Sequence, residues 1–168
     1  MKKNKLFVFA GRPGTGKTTI INNLFSEETI IDVLPFVEVF RVEGKVIEEK
    51  TIVAYQNMYC YLVDLKKPKV ILEIGTNHPV LNILELEKLQ NDYEIKIFLC
   101  EASEKNCYQR AWQRGMRHDA EAFETRMKRD FPNTFIKLLK QTSLSYEVVD
   151  MNKSLEDTIV LFNQLLGI

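Results

Sequence analysis

Residues 11–18 read Gly-Arg-Pro-Gly-Thr-Gly-Lys-Thr and match the pattern G-x-x-x-x-G-K-[ST]. The match follows a short apolar segment, Lys5–Ala10, and opens a segment with helical character, Lys17–Phe25. Glycines allow consecutive backbone N–H groups to converge on phosphate oxygens, and the amino end of a helix adds partial positive charge. The sequence therefore predicts a phosphate cradle in a strand-to-helix turn. Its predicted members are Gly11, Arg12, Pro13, Gly14, Thr15, Gly16, Lys17, Thr18 and Thr19.

Two side chains of this cradle have specific chemistry. Lys17 can reach the β- and γ-phosphates of a nucleotide as a point charge, and the Thr18 hydroxyl can ligate Mg²⁺. The alternative is a glycine-rich turn that binds no ligand. The predicted strand before the match and the predicted helix after it favour the phosphate site.

Short apolar segments alternate with helical segments along the whole chain. The predicted strands are Lys5–Ala10, Thr29–Val33, Lys69–Ile74, Glu94–Cys100 and Tyr146–Met151. The predicted helices are Lys17–Phe25, Lys50–Leu65, Pro79–Asn91, Ser103–Arg114, Glu121–Gln141 and Ser154–Leu166. Strands that are apolar almost throughout are typical of parallel sheets covered on both faces. We therefore expect an α/β fold with a parallel sheet of about five strands and helices on both faces, in a single domain spanning residues 1–168.

Composition excludes several classes of protein. The chain has 23 Lys+Arg and 23 Asp+Glu, so its formal net charge is zero and a general polyanion binder is disfavoured. No segment approaches the roughly 20 apolar residues that a membrane-spanning helix needs. The three cysteines form no C-x-x-C pair, which favours free thiols in a reducing cytoplasm. Cys100 and Trp112 are expected in the core. Nothing in the sequence indicates an oligomeric state.

The segment Gly-Arg-Pro-Gly-Thr-Gly-Lys-Thr-Thr after an amino-terminal strand resembles the P-loop of small kinases in the nucleoside-monophosphate-kinase-like group. That group includes adenylate-, shikimate-, gluconate- and polynucleotide-kinase-type enzymes. The resemblance covers most of the chain as strand–helix order, but only two segments carry it at the level of motifs. It implies the three-layer P-loop NTPase fold with strand order 2-3-1-4-5, ATP as phosphoryl donor, and a lid after the fourth strand.

The second such segment is rich in arginine. Five of the seven arginines lie between positions 110 and 129. Arginine presents a planar fork of donors suited to bidentate phosphate contacts. In the resembled kinases an R-x-x-x-R pattern before the lid matches Arg110 and Arg114, so Arg110 is expected at the bound nucleotide. Arg114 and Arg117 are the candidates that stabilise the transferring phosphoryl group. The lid is expected at about residues 114–125, with Arg126 and Arg129 on the helix that returns from it, and a solvated helix face is the alternative for these arginines.

Acidic residues at strand ends are the candidates for metal binding and proton transfer. Glu73 ends the third predicted strand, where it can hold Mg²⁺ or accept the proton of an acceptor hydroxyl. P-loop kinases mostly carry Asp there. Asp32, at the end of the second strand, is the next candidate base, and Glu38 is the third. The acceptor is expected to bind within residues 34–65. The stretch 34–49 within it is an extended loop, a hairpin turning at Glu43-Gly44, or an acceptor-binding insert. Thr76 either faces the acceptor or caps the following helix.

These observations together predict an ATP- and Mg²⁺-dependent phosphotransferase that acts on a small-molecule acceptor, such as a nucleotide, a nucleoside or a hydroxylated metabolite. The first alternative is a P-loop ATPase or nucleotide-dependent switch that needs no acceptor. The second is a nucleic-acid 5′-end kinase, which the zero net charge disfavours.

Overall fold

The computed structural model describes residues 2–115 and 120–168. Within them the chain forms five strands and eight helices. The strands are β1 (Asn4–Ala10), β2 (Thr29–Asp32), β3 (Lys69–Ile74), β4 (Tyr93–Glu101) and β5 (Ser145–Asp150). The helices are α1 (Lys17–Leu24), α2 (Leu34–Glu38), α3 (Glu48–Leu65), α4 (Pro79–Leu89), α5 (Glu104–Gln113), α6 (Ala120–Met127), α7 (Asn133–Leu139) and α8 (Leu155–Leu166).

The strands form one parallel sheet in the order β2-β3-β1-β4-β5, which confirms the predicted fold. β1 lies at the centre, and its last residue Ala10 pairs with Ile74 on one side and Leu99 on the other. Chain direction and strand order therefore place the loop after β1 at the carboxyl edge of the sheet. Ligands of open α/β sheets bind at that edge, where the strand order reverses.

Two hydrophobic clusters cover the two faces of the sheet. One contains Tyr55, Met58 and Leu62 of α3 together with residues of α4 and α7. The other is built on aromatic contacts, in which Phe98 packs against Phe9 and Phe162 with ring centroids 5.1 and 5.3 Å apart. Truncation of a buried phenylalanine to alanine costs about 3–5 kcal/mol. This packing holds the strand ends that carry the site in fixed positions.

Two predictions about helices and core are wrong. The predicted helix Glu121–Gln141 is two helices, because Pro132 lacks a backbone N–H and caps the start of α7 instead of continuing α6. Trp112 is 66% exposed, since the buried face of α5 runs through Cys107 and Ala111 and Trp112 points about 100° away from Ala111. Cys100 is buried as expected.

The stretch 34–49 combines a short helix with a tight turn. α2 occupies Leu34–Glu38, and a bridge between Val42 and Lys45 closes a turn at Glu43 and Gly44, both with positive φ. All three cysteines carry free thiols. No helix in residues 2–115 or 120–168 combines the length and apolarity needed to cross a bilayer.

Candidate active site

The predicted phosphate cradle is the loop that joins β1 to α1. Gly16 caps α1 with a φ of 97°, and no side chain bonds to the helix's first N–H groups. These N–H groups therefore stay available to an anion. Gly14 has a φ of 79°, and a Cβ there would lie 2.4 Å from the Cys107 carbonyl oxygen of α5. Glycine at this position is thus required both by the turn and by the close approach of α5.

Lys17 lies at the centre of the cradle. Its side chain is 8% exposed, and its Nζ donates to the carbonyl oxygens of Gly11 at 2.8 Å and Arg12 at 2.9 Å. Burial lowers the pKa of this amine below its usual 10.5, while the nearby Glu73 carboxylate acts in the opposite direction. The cradle therefore holds a concentrated positive charge among backbone carbonyls.

Thr18 and Glu73 meet beside the lysine. The Thr18 hydroxyl donates to Glu73 Oε1 at 2.6 Å, and Glu73 projects from the end of β3, next to β1 in the sheet. A hydroxyl and a carboxylate oxygen are hard ligands of the kind Mg²⁺ prefers. Among the described residues no group of three His, Cys, Asp or Glu side chains could hold a metal. Mg²⁺ usually keeps several waters and takes phosphate oxygens, so this oxygen pair fits its requirements.

The two arginines of the R-x-x-x-R pattern both reach the cradle, in different ways. Arg110 donates to the carbonyl oxygens of Thr15 at 2.8 Å and Met151 at 2.7 Å, and so joins the cradle to the loop before α8. Arg114 follows the last residue of α5, and its charge contributes to lowering the pKa of Lys17. Arg117 lies outside the described residues, as does part of the predicted lid.

Two cavities adjoin the cradle, and both include Gly16 and Arg114 in their walls. The first has a volume of about 250 Å³ and is lined further by Thr15, Thr19, Ile20, Arg110, Met151 and Lys153. The second has a volume of about 450 Å³ and is lined further by the cradle residues Gly11, Pro13, Gly14, Lys17 and Thr18 and by Asp32, Tyr55, Glu73, Thr76, Asn77 and Arg126. A molecule in one cavity can thus meet a molecule in the other at the cradle.

Two of the three candidate acids line the second cavity, and the third does not. Asp32 and Glu73 are register partners on β2 and β3, and both line the second cavity. Asp32 Oδ1 accepts a hydrogen bond from the Leu34 amide at 2.7 Å. Glu38 is exposed and not among the lining residues of that cavity, and its hydrogen bonds from Arg41 lower the pKa of its carboxyl. Glu38 is therefore the weakest of the three as a base.

Two further residues of the second cavity's wall, Thr76 and Tyr55, are buried. Thr76 is 6% exposed, and its hydroxyl has no hydrogen-bond partner among the described residues. It does not cap α4, whose first turn is preceded by His78. Burial raises the pKa of Tyr55 to about 12, against the opposing charges of Arg126 and Arg129. The sequence gives no separate signal for Tyr55 as part of a cavity wall, because an aromatic residue at helical spacing is equally typical of core packing.

No protein-family model matches the sequence, and no curated protein matches it either. Solved structures do match. A shikimate kinase from Acinetobacter baumannii in complex with shikimate has a TM-score of 0.63 at 16% identity, over 98% of this chain and 94% of that one. A gluconokinase from Sinorhizobium meliloti has a TM-score of 0.61 at 11% identity, over 99% of this chain and 98% of that one. A sugar kinase from Janibacter has a TM-score of 0.53 at 16% identity, over 98% and 95%. The chain therefore has the fold of the small P-loop kinases.

Proposed function

We propose that this protein, which has the fold of the small P-loop kinases, is an ATP-dependent kinase that transfers the γ-phosphoryl group to a hydroxyl of a small molecule. The observation that carries this proposal is the pair of cavities that meet at the cradle through Gly16 and Arg114. An ATPase or switch needs a site for the nucleotide alone. The cavity of about 450 Å³ contains Lys17, Thr18 and Glu73 at the phosphate position and continues to Asp32, Tyr55 and Arg126, which provides room for an acceptor beside the phosphates.

The first cavity is the proposed site of the adenosine group, and the triphosphate reaches from it across the cradle into the second cavity. The adenosine group lies against the loop before α8, which Arg110 fixes to the cradle through the Met151 carbonyl. The triphosphate lies on the backbone N–H groups of the cradle, with Lys17 at the β- and γ-phosphates. Thr18 and Glu73 would hold Mg²⁺, which would supply neutralisation of charge on the phosphates. The free thiols suit a reducing compartment, and we propose the cytoplasm.

Transfer forms a bond between the acceptor oxygen and the γ-phosphorus and breaks the bond to the β–γ bridging oxygen, so that ADP leaves. Both acids line the second cavity, but Glu73 already accepts the Thr18 hydroxyl and is assigned to Mg²⁺, so Asp32 is the proposed acceptor of the hydroxyl proton. Arg114 lies between the cavities, where the equatorial oxygens of the transferring group carry the developing charge.

The acceptor cavity also carries a cation in addition to Lys17 and Arg114. Arg126 lines this cavity and forms no ion pair with the described residues. An acceptor with an anionic group would satisfy it. Shikimate and gluconate, named with two of the similar structures, are both hydroxylated carboxylates. We therefore propose a small hydroxylated carboxylate as the acceptor class.

The test is ADP release from Mg-ATP across a panel of acceptors. The panel contains sugar acids and other hydroxy acids, neutral polyols, nucleosides, nucleoside monophosphates and 5′-hydroxyl oligonucleotides, with a control that lacks acceptor. Release that depends on a hydroxy acid supports the proposal. Equal release with and without every acceptor favours the ATPase, and release that depends on the oligonucleotide favours a nucleic-acid end kinase.

A variant tests the position of Arg114. Arg114→Ala should lower kcat by about 10³-fold, in the range of a comparable arginine finger, and leave the Kd of ATP nearly unchanged. Lys105→Ala, a change at an exposed cation of α5, is the matched control and should leave both quantities intact. Equal losses in kcat and ATP affinity for Arg114→Ala would contradict a role confined to the transition state.

A further inference from the structure

The side chain of Arg12, the second residue of the cradle, points away from the phosphate position. Its guanidinium donates to the carbonyl oxygen of Met127 at 3.3 Å and to that of Ala102 at 3.2 Å. Both contacts span long stretches of chain, and both are partly buried. The Arg12 side chain therefore joins the cradle to the end of α6.

The two carbonyl groups lie at the end of α6 and in the connection between β4 and α5. Met127 is the last residue of α6, where carbonyl groups lack donors from their own helix. A guanidinium there also interacts favourably with the negative end of the helix dipole. Ala102 lies between β4 and α5. Arg12 thus holds the carboxyl end of α6 against the start of α5.

The end of α6 carries the acceptor-side arginines. Arg126, which immediately precedes Met127, lines the acceptor cavity. Arg129, two residues after Met127, donates to Oδ1 of Asn77 in the wall of the same cavity. The position of Met127 therefore determines where Arg126 enters that cavity.

The backbone of Arg12 lies in the phosphate cradle. Its carbonyl oxygen accepts hydrogen bonds from Lys17 Nζ at 2.9 Å and from the Thr15 hydroxyl at 3.1 Å. One residue therefore joins the lysine expected at the phosphates, through its main chain, to the acceptor-side helix, through its side chain.

We propose that Arg12 is a positioning residue that couples the nucleotide site to the acceptor site by fixing the end of α6 and with it Arg126. This role rests on the proposed kinase function, because it assumes that a nucleotide binds the cradle and that an acceptor meets Arg126. Binding in the cradle then orders α6, and by reciprocity a bound acceptor favours the nucleotide.

The test is hydrogen exchange with a non-hydrolysable ATP analogue and Mg²⁺ as the probe, which requires no acceptor. In the parent, the analogue should slow exchange of backbone amides in both the cradle and α6. In Arg12→Met, which keeps an unbranched side chain without donors, it should still slow exchange in the cradle, but the protection of α6 should be lost. Arg12→Lys keeps one donor group and should restore part of that protection. Lys128→Met, the same loss of charge one residue beyond α6, should behave as the parent.

Each other outcome overturns a stated part of the argument. If the analogue protects the cradle and affects α6 equally in the parent and in Arg12→Met, Arg12 does not couple the sites, while the kinase proposal stands. If it fails to protect the cradle of the parent, both the nucleotide site and the coupling are wrong.

With an acceptor from the panel, kinetics provide a second measurement. Arg12→Met should raise the acceptor KM by about tenfold, within the usual range of coupling energies. Combined with Arg126→Met, it should add little to the effect of Arg126→Met alone, because it acts through that residue. Fully additive effects would overturn the assigned route.

Discussion

Gly14 offers a quantitative test of how tightly the phosphate cradle is fixed to α5. In Gly14→Ala, the left-handed φ of 79° costs a side chain roughly 1–2 kcal/mol. The new Cβ would also lie 2.4 Å from the Cys107 carbonyl oxygen. That oxygen is part of a helix backbone and cannot rotate aside, so overpacking adds about 1–3 kcal/mol. We expect a loss of about 2–5 kcal/mol in the free energy of unfolding, a large part of the 5–15 kcal/mol typical of a domain.

Two matched glycines separate these contributions. Gly44 has a φ of 74° with no atom within 4 Å of an added Cβ, so Gly44→Ala measures conformational strain alone. Gly11 lacks a positive φ, and its Cβ would lie 2.5 Å from the Cys100 carbonyl oxygen, so Gly11→Ala measures the steric contact. The change in unfolded-chain entropy is common to all three and cancels in the comparison.

The assay is urea unfolding at 25 °C, with and without Mg-ATP. Gly14→Ala should lose more stability than either control, and Mg-ATP should stabilise it less than it stabilises Gly44→Ala. If Gly14→Ala and Gly44→Ala lose the same free energy, α5 yields to the new methyl group, and the cradle is not held in place by that helix.

Two further predictions concern buried polar groups. Because burial lowers the pKa of Lys17 below 10.5, the affinity for ATP should fall as pH rises through this lowered pKa. Lys17→Met should remove that fall. A Kd of ATP that stays constant up to pH 10.5 in the parent would contradict the assignment. For the protein without nucleotide the sign is opposite, since the unfolded chain binds the proton more tightly and Lys17 adds stability as pH rises across that window. Thr76→Val removes a buried hydroxyl without a partner and should raise the free energy of unfolding in urea by about 1 kcal/mol. The control is Thr51→Val, which removes a buried hydroxyl that donates to the Glu48 carbonyl at 2.7 Å. This change should lower the free energy of unfolding by about the same amount. Equal losses of unfolding free energy in both variants would show that the Thr76 hydroxyl has a partner.

The fold could be predicted from the sequence because local patterns and the phosphate motif agree. Apolar runs gave the ends of the five strands to within one residue, and the resemblance to P-loop kinases supplied their order. The break between α6 and α7 was missed because apolar residues continue at helical spacing past Pro132. The proline was visible in the sequence and is a helix-stop signal, so this error lay in giving periodicity more weight than backbone chemistry.

The position of the loop between β1 and α1 could also be predicted, whereas the contacts of individual arginines could not. Arg12 and Arg110 bind backbone carbonyl oxygens of Met127, Ala102, Thr15 and Met151. Every residue has a carbonyl group, so such a partner leaves no signature in the sequence. Arg110 was predicted to bind the nucleotide from a pattern that is equally compatible with holding the loop around it.

The four-residue spacing of Arg110 and Arg114 allows Arg110 to fix α5 and thereby to set the direction of Arg114. Arg110 fixes α5 to the cradle through the Thr15 carbonyl, and Gly14 allows the helix backbone to approach closely at Cys107. Together these contacts set the rotation of α5 about its own axis. Arg114 follows the last turn of that helix, and successive helical residues are about 100° apart, so a slip of one residue would turn Arg114 away from the cradle. Arg110 therefore fixes the rotation of α5 that directs Arg114 toward the cradle. Substitution of Arg110 should impair phosphoryl transfer even if ATP still binds.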